Sequence, residues 1–238
     1  KEVRIIFDAG EGNFGKYANT DPAKEIKKIA YDVKNTLTWK DFKSNVPAKE
    51  KITAPDNKVF KGWKPVLPED NATVAAKTYV AQYKDKAVKE DPNDQDYIKV
   101  TFNANSGKFG TENTSPETVD VWVLKEGSTF ADAKRVLKEK EANDPQKAGE
   151  TFANKWGEAA DTALKDAVKD DRAFTDADAN KIFYAIYSKD IVEVNPKDPT
   201  KPFKPEDNDD TNNDRKTDTT KEVRIIFDAG EGNFGKYA

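Results

Sequence analysis

The side chains of this sequence best suited to holding a ligand are its four tryptophans. An indole can stack on a sugar ring or anchor a partner. Trp39 and Trp63 read first as core residues, because units below about 100 residues rely on a few large aromatics to close a core. Trp122 falls at an outward position of its strand. It is either an exposed anchor or packed beneath a helix over 130–141. Trp122 and Trp39 are therefore the candidate partner-binding residues. The run Asp207-Asn208-Asp209-Asp210-Thr211-Asn212-Asn213-Asp214 is rich in the oxygen donors that calcium takes. It lacks the glycine and the downstream Glu of an EF-hand loop, so a solvated, self-repelling linker is the better reading. Weak calcium binding by this linker is the lesser one, and no other cofactor or metal is expected.

Catalytic constellations are scarce. The sequence has no His and no Cys, which excludes thiolate chemistry, the Ser-His-Asp triad and ordinary zinc sites. With 44 acidic residues, some carboxylate pair at glycosidase spacing is assured by number alone, so spacing carries no information. Gly10-Glu11-Gly12 and Gly107 read as turn glycines and do not form the phosphate-binding G-x-G-x-x-G pattern. A Lys–Asn cross-link beside a buried acid needs a trio that cannot be picked out among so many Lys and Asn. No catalytic residue is nominated, and the chain is expected not to be an enzyme.

Composition agrees with a modest, well-solvated fold. Charged residues make up 35% and hydrophobic ones 36% of the 238 residues, which implies small cores under much polar surface. Aromatics at 11% are too many for a disordered chain. The 40 basic and 44 acidic residues leave a net charge of −4, a poor match to nucleic acid, which wants clustered positive charge. No apolar run approaches the roughly 18 residues of a membrane helix, so no membrane insertion is expected. Position 1 is Lys and not Met. The chain is thus expected to be a piece of a longer one, and the missing signal peptide is uninformative.

The elements that must position these residues come in repeats. Residues 1–18, KEVRIIFDAGEGNFGKYA, recur identically at 221–238, as expected for one unit of a tandem array followed by the start of the next. A weaker repeat lies within the unit. Phe7, Ala9, Gly12, Phe14 and Gly15 correspond to Phe102, Ala104, Gly107, Phe109 and Gly110, and Thr38-Trp39-Lys40-Asp41 to Thr129-Phe130-Ala131-Asp132. Tyr79-Val80-Ala81-Gln82-Tyr83 corresponds to Phe183-Tyr184-Ala185-Ile186-Tyr187. The domains expected are 1–88 and 96–191, a linker over 192–220, and the start of the next repeat at 221–238. Glu90 to Asp94 form the joint between the first two. Pro196, Pro199, Pro202 and Pro205 recur every three residues, favouring an extended polyproline-like strut.

Alternation predicts strands over 3–7, 98–104 and 119–124, with closing strands over 78–84 and 181–188. Residues 26–33 carry both helical and strand spacing, and the internal repeat argues for a strand. Thr38 and Thr129 start matching helices. Ala160, Ala163, Leu164, Ala167 and Val168 form an apolar stripe that predicts an inserted helix over 158–169. The order strand–turn–strand–helix–strands gives an α+β fold of small subdomains.

The segment VRIIFDAGEGNFG, then Phe60-Lys61-Gly62-Trp63-Lys64-Pro65, then Thr78-Tyr79-Val80-Ala81-Gln82-Tyr83, resembles the Listeria–Bacteroides repeat, the B-repeat type known from internalin B. The resemblance covers 1–84 and, more weakly, 98–189, where Trp156-Gly157 stands in place of the Gly-Trp pair. It implies two small β-grasp-like subdomains in tandem, in arrays on a Gram-positive bacterial surface protein. No functional residue carries over. The expected function is a non-catalytic spacer in a stalk, extracellular and anchored to the cell wall, whose neighbours are adjacent identical repeats. The alternative is an adhesin repeat that itself binds a host protein or glycan through avidity. A hydrolase would require a deep cleft with two carboxylates of perturbed pKa. Because 223–229 repeats 3–9, two identical strands compete for one slot, and 221–238 is expected to be poorly ordered or to pair with an exposed edge.

Overall fold

In the computed structural model the described residues are 1–15, 25–112, 114–189, 194–195 and 198–202. The first half contains β1 (Glu2–Asp8), β2 (Lys28–Lys34), the short helix α1 (Trp39–Phe42), β3 (Lys58–Lys64) and β4 (Lys77–Asp85). There follow β5 (Ala87–Val88), β6 (Tyr97–Asn103), β7 (Lys108–Phe109), β8 (Thr118–Leu124), α2 (Phe130–Lys140), β9 (Pro145–Gln146), β10 (Glu150–Gly157) and β11 (Ile182–Lys189). Two short strands, β12 (Val194–Asn195) and β13 (Asp198–Pro202), come last. Strand dominates over helix throughout these residues. The chain divides into a unit at Lys1–Ser188 and a second at Lys189–Ala238.

The patterned segments become strands for the reason the alternation gives. In β6, Ile98, Val100 and Phe102 are buried and the residues between them only half so. In β2, half-buried Ile29, Tyr31 and Val33 alternate with exposed neighbours. The helical spacing there loses because β1 pairs with the segment along its whole length, from Glu2↔Lys34 to Asp8↔Lys28, antiparallel. Tertiary pairing overrides a divided local preference.

The first sheet has the order β2-β1-β4-β3 and the second β10-β11-β6-β8-β5. Without the added edge strand β5, the second reads β8-β6-β11-β10, the same path. In each half the first strand lies parallel to the last: Ile5↔Lys77 to Asp8↔Val80 in one, Thr101↔Ile182 to Asn103↔Tyr184 in the other. In each half a helix follows the second strand. Thr38 with Asp41, and Thr129 with Asp132, form capping boxes at the two helix starts. α1 passes into a 3-10 turn at Lys43–Asn45 and stops before Pro47, which could not donate to a continuing helix. α2 runs eleven residues and buries Phe130, Ala133, Val136 and Leu137 against the sheet.

The cores are aromatic and nearly superimposable in design. Phe7 meets Trp63 edge-on at 4.9 Å, as Phe102 meets Trp156 at 4.8 Å. Phe14 stacks near Trp63 at 6.3 Å, as Phe109 does near Trp156 at 6.2 Å. The Tyr83 hydroxyl donates to Ala9 O at 2.8 Å, and the Tyr187 hydroxyl to Ala104 O at 2.7 Å. Trp156 thus takes the place of Trp63, although the order of Gly and Trp is inverted in sequence.

Three expectations differ from the structure. Residues 158–169 form no α-helix and hold only a 3-10 turn at Leu164–Asp166. The small alanines of the stripe bury little area, Leu164 is 54% exposed, and so short a helix is marginal without packing. The segment instead doubles back on β10, with the Val168 N–H donating to Trp156 O at 2.8 Å. The first half ends at Lys86 and not at residue 88, because Ala87 and Val88 pair with Val123 and Trp122 of β8. The start of the linker is not fully extended either. β12 and β13 pair antiparallel, Val194↔Pro202 and Asn195↔Asp198, and both strands of such a ribbon are edges, where a proline's missing N–H is tolerated. The rest of the linker and the second copy at 221–238 lie outside the described residues.

Candidate functional site

The most organised polar feature of the described residues is the junction between the halves. β4 leaves the first sheet, crosses Lys86 and enters the second sheet as β5 within two residues. Lys86 is clamped on both sides: its N–H donates to Asn57 O at 2.8 Å, and its carbonyl accepts from the Leu124 N–H at 2.8 Å. Lys84 Nζ bridges Asp94 at 2.6 Å and Asp96 at 2.7 Å. Hydrogen bonds to those two carboxylates raise the Lys84 pKa, and the Lys84 ammonium lowers that of Asp94. The Tyr97 hydroxyl donates to Asp85 O at 2.6 Å. Burial, reinforced by the Asp85 carboxylate, pushes that phenol up to about 12. Within the joint, Asn93 stands at φ 51° and its N–H donates to Asp91 Oδ1 at 2.8 Å, a self-bonded turn of the Asx kind. Gly127 lies against Val59, where a Cβ would come within 3.0 Å of Cγ2. The acidic, Pro-containing joint reads as a separator in sequence, yet the fold straps it to both halves. A lysine at 84 followed by acids at 94 and 96 is the sequence signal for that strap.

The two candidate anchors fare differently. Trp39 is 3% exposed and wedged edge-on against Phe42 at 5.3 Å and Tyr79 at 5.4 Å. It presents nothing to a partner, because a helix of four residues can hold its end of the sheet only by burying its largest side chain. Trp122 is half-buried. Lys140, the last residue of α2, sits with Nζ 5.4 Å from its ring centroid and donates to Asp120 O at 3.1 Å and Lys89 O at 2.8 Å. The indole is therefore partly roofed by the end of the helix, a cation–π contact.

Carboxylates with shifted ionisation are held low. Burial opposes ionisation of Asp178, but bonds from Arg172 and from the Thr175 N–H outweigh it. Burial likewise opposes Asp8 and is outweighed by the Gly10 N–H and Lys28. Asp32 is lowered by Arg4, and Asp41 by Thr38. A general acid needs the opposite shift. Among the described residues, buried polar side chains are Ser128, Asp132 and Asp178, so no lysine is buried beside an asparagine and an acid. No group of three or more acidic side chains there is placed to hold a metal ion. The run Asp207 to Asp214 lies outside the described residues. No described helix is long and apolar enough to cross a membrane.

Sequence reading missed the ion network that locks the second half. Arg172 bonds Asp178 and reaches Glu158 at 2.9 Å, with its guanidinium carbon 5.4 and 5.5 Å from the rings of Phe174 and Phe183. Lys181 lies 3.2 Å from Glu158 and 3.3 Å from Asp178. The Asp178 side chain is 7% exposed, so Arg172→Ala should cost about 2 kcal/mol at neutral pH by leaving a buried carboxylate with the longer contact to Lys181 in place of its closest cation. The folded pKa of Asp178 lies below its unfolded value of about 3.9. Its contribution is therefore complete at neutral pH and lost as pH falls below about 4. Urea melts at pH 7 and pH 3 should show the Arg172→Ala penalty shrinking in acid. An equal penalty at both would disprove this role.

No family model matches the chain, and no curated protein matches it. The resemblance to the Listeria–Bacteroides repeat therefore rests on its motifs alone. Among solved structures, the Type 2 repeat of the mucus binding protein MUB from Lactobacillus reuteri aligns with 80% of this chain and 100% of its own, at 14% identity and a TM-score of 0.17. A likeness that slight carries no inference.

Proposed function

We propose that the chain is a non-catalytic spacer, a tandem-repeat stalk module of a bacterial cell-surface protein that projects an adhesive or functional head from the cell wall. Each half is read as a β-grasp-like subdomain, in keeping with the shared strand order, the parallel central pair and the helix after the second strand. The observation that carries the reading is the junction. A stalk must resist bending between its parts, and here one strand passes from sheet to sheet through a single clamped residue, Lys86. The identical eighteen residues 220 positions apart supply the second support, since repetition of near-identical modules adds length or avidity and not chemistry. High surface charge keeps such an array soluble. Small-angle scattering on chains of one, two and three 220-residue units tests it. The maximum dimension is expected to grow nearly linearly with unit number, and compact multimers would overturn the reading.

A further inference from the structure

We propose that each half of the 1–188 unit is a shear clamp that carries tension along the chain. Its purpose rests on the spacer reading, since a stalk held at one end and loaded at the other is a chain under pull. Its geometry rests on topology. A pull along the chain enters the first half at the start of β1 and leaves at the end of β4. These two strands are neighbours and parallel, Ile5↔Lys77 to Asp8↔Val80. Their loaded ends therefore lie at opposite ends of the pair. Tension slides one strand along the other and strains the evenly spaced backbone bonds between them together. Had the loaded ends lain side by side, the same bonds would open one after another. The second half repeats the arrangement with β6 and β11, Thr101↔Ile182 to Asn103↔Tyr184.

Side chains reinforce both pairs at matching places. On the core face Phe7 lies opposite Tyr79, with ring centroids 5.6 Å apart and planes 25° from parallel. Phe102 lies opposite Phe183 at 5.9 Å and 34°. Sliding must drag each ring off its partner, at a cost beyond the loss of buried area. Just past each entry strand, the Tyr83 hydroxyl donates to Ala9 O at 2.8 Å and the Tyr187 hydroxyl to Ala104 O at 2.7 Å. The exit strand thus also grips the turn that follows the entry strand. β1 cannot peel away sideways, because β2 pairs with its other edge from Glu2 to Asp8. β8 does the same for β6 from Tyr97 to Asn103. The joint passes the load on. Lys84 of β4 bridges Asp94 and Asp96, and the hydroxyl of Tyr97, the first residue of β6, donates to Asp85 O at 2.6 Å. Tension leaving the first clamp is thereby delivered to the entry strand of the second.

The test is single-molecule force spectroscopy on the full chain. The sequence has no Cys, so two introduced cysteines define the axis of pull. Arg4, Lys77 and Asp85 are exposed and accept the handles. Arg4→Cys with Asp85→Cys shears β1 against β4. Arg4→Cys with Lys77→Cys pulls two adjacent strand ends apart and unzips the pair. Forced rupture follows the unfolding rate, and shear requires several bonds to fail at once, so the first axis should need at least about twice the force of the second at equal pulling speed. Tyr83→Phe should lower the force on the shear axis and leave the unzipping axis unchanged, because the clasp lies at the far end of the unzipped pair. A general loss of stability would lower both. Equal forces on the two axes, or an equal fall on both in the Tyr83→Phe variant, would overturn the proposal. Either result leaves the scattering test of the spacer reading untouched, and compact multimers in that test would leave the force ratio standing.

Discussion

Trp156→Ala is expected to cost about 3–5 kcal/mol, the range for deleting a large buried aromatic, and to lower the melting point of the 1–188 unit on the order of 10 °C. The indole is 3% exposed and touches three rings at once: Phe102 at 4.8 Å, Phe152 at 5.4 Å and Phe109 at 6.2 Å. Two of these come from strands and turns that precede α2, and the third from its own strand. Removing the indole therefore opens a cavity where the central strand, the β7–β9 strap and the edge strand meet. The neighbours cannot collapse into it, because Phe102 is also held by Phe130 and Phe183. Trp122→Ala serves as the contrast. Its half-buried ring loses one exposed-edge contact with Lys140, worth about 1 kcal/mol or less. Thermal and urea unfolding followed by circular dichroism would compare the two. If the Trp122 variant melted as low as the Trp156 variant, the division into structural and surface tryptophans would be wrong.

That division was only half legible in sequence, and the reasons are local. The internal repeat made the matching elements of the two halves legible along the chain, because Phe7 and Phe102, Ala9 and Ala104, and Gly12 and Gly107 keep equal spacing along strands and turns whose geometry tolerates no insertion. The equivalence of Trp63 and Trp156 was hidden by one residue. Phe60 and Trp63 are three apart and Phe152 and Trp156 four apart, yet the ring pairs lie at 5.3 and 5.4 Å. The additional residue is absorbed in the backbone, where Asn154 takes φ 54°, while β3 has its own irregularity between Phe60 and Gly62. Spacing alone therefore could not align them. The 158–169 stripe misled because alanines at helical spacing describe a face without the bulk to bury it. The junction misled in the other direction. Asp91-Pro92-Asn93-Asp94 is turn chemistry in any context, and only the tertiary pairing of Ala87 and Val88 with β8 turns it from a hinge into a strap.

Gly107→Ala should destabilise the second half by about 2–3 kcal/mol or more, through overpacking that the surroundings cannot relieve. A Cβ built there would lie 2.4 Å from Gln146 O, 2.4 Å from the Tyr187 hydroxyl and 2.9 Å from Ala104 O. The phenol could swing aside, but only by giving up its bond to Ala104 O and leaving a hydroxyl whose pKa burial has already pushed up to about 12 without a partner. The Gln146 carbonyl cannot move so easily, because β9 is held to β7 at Lys108↔Gln146 and Phe109↔Pro145. Tyr187→Phe combined with Gly107→Ala should therefore recover only part of the loss. Gly12→Ala should reproduce the defect in the first half, where Thr53 O lies at 2.4 Å and the Tyr83 hydroxyl at 2.2 Å from the same built atom. Gly149→Ala is the control: unlike Gly107 and Gly12 its backbone lies at positive φ, 73°, but nothing approaches within 4 Å, so only the conformational cost of about 1 kcal/mol remains. The ranking matters more than any single value. If Gly149→Ala proved as harmful as Gly107→Ala in urea melts, the close approach at Gly107 would not be what makes that glycine necessary. The tyrosine-to-carbonyl clasp that both halves repeat would then not be what closes each sheet onto its turn.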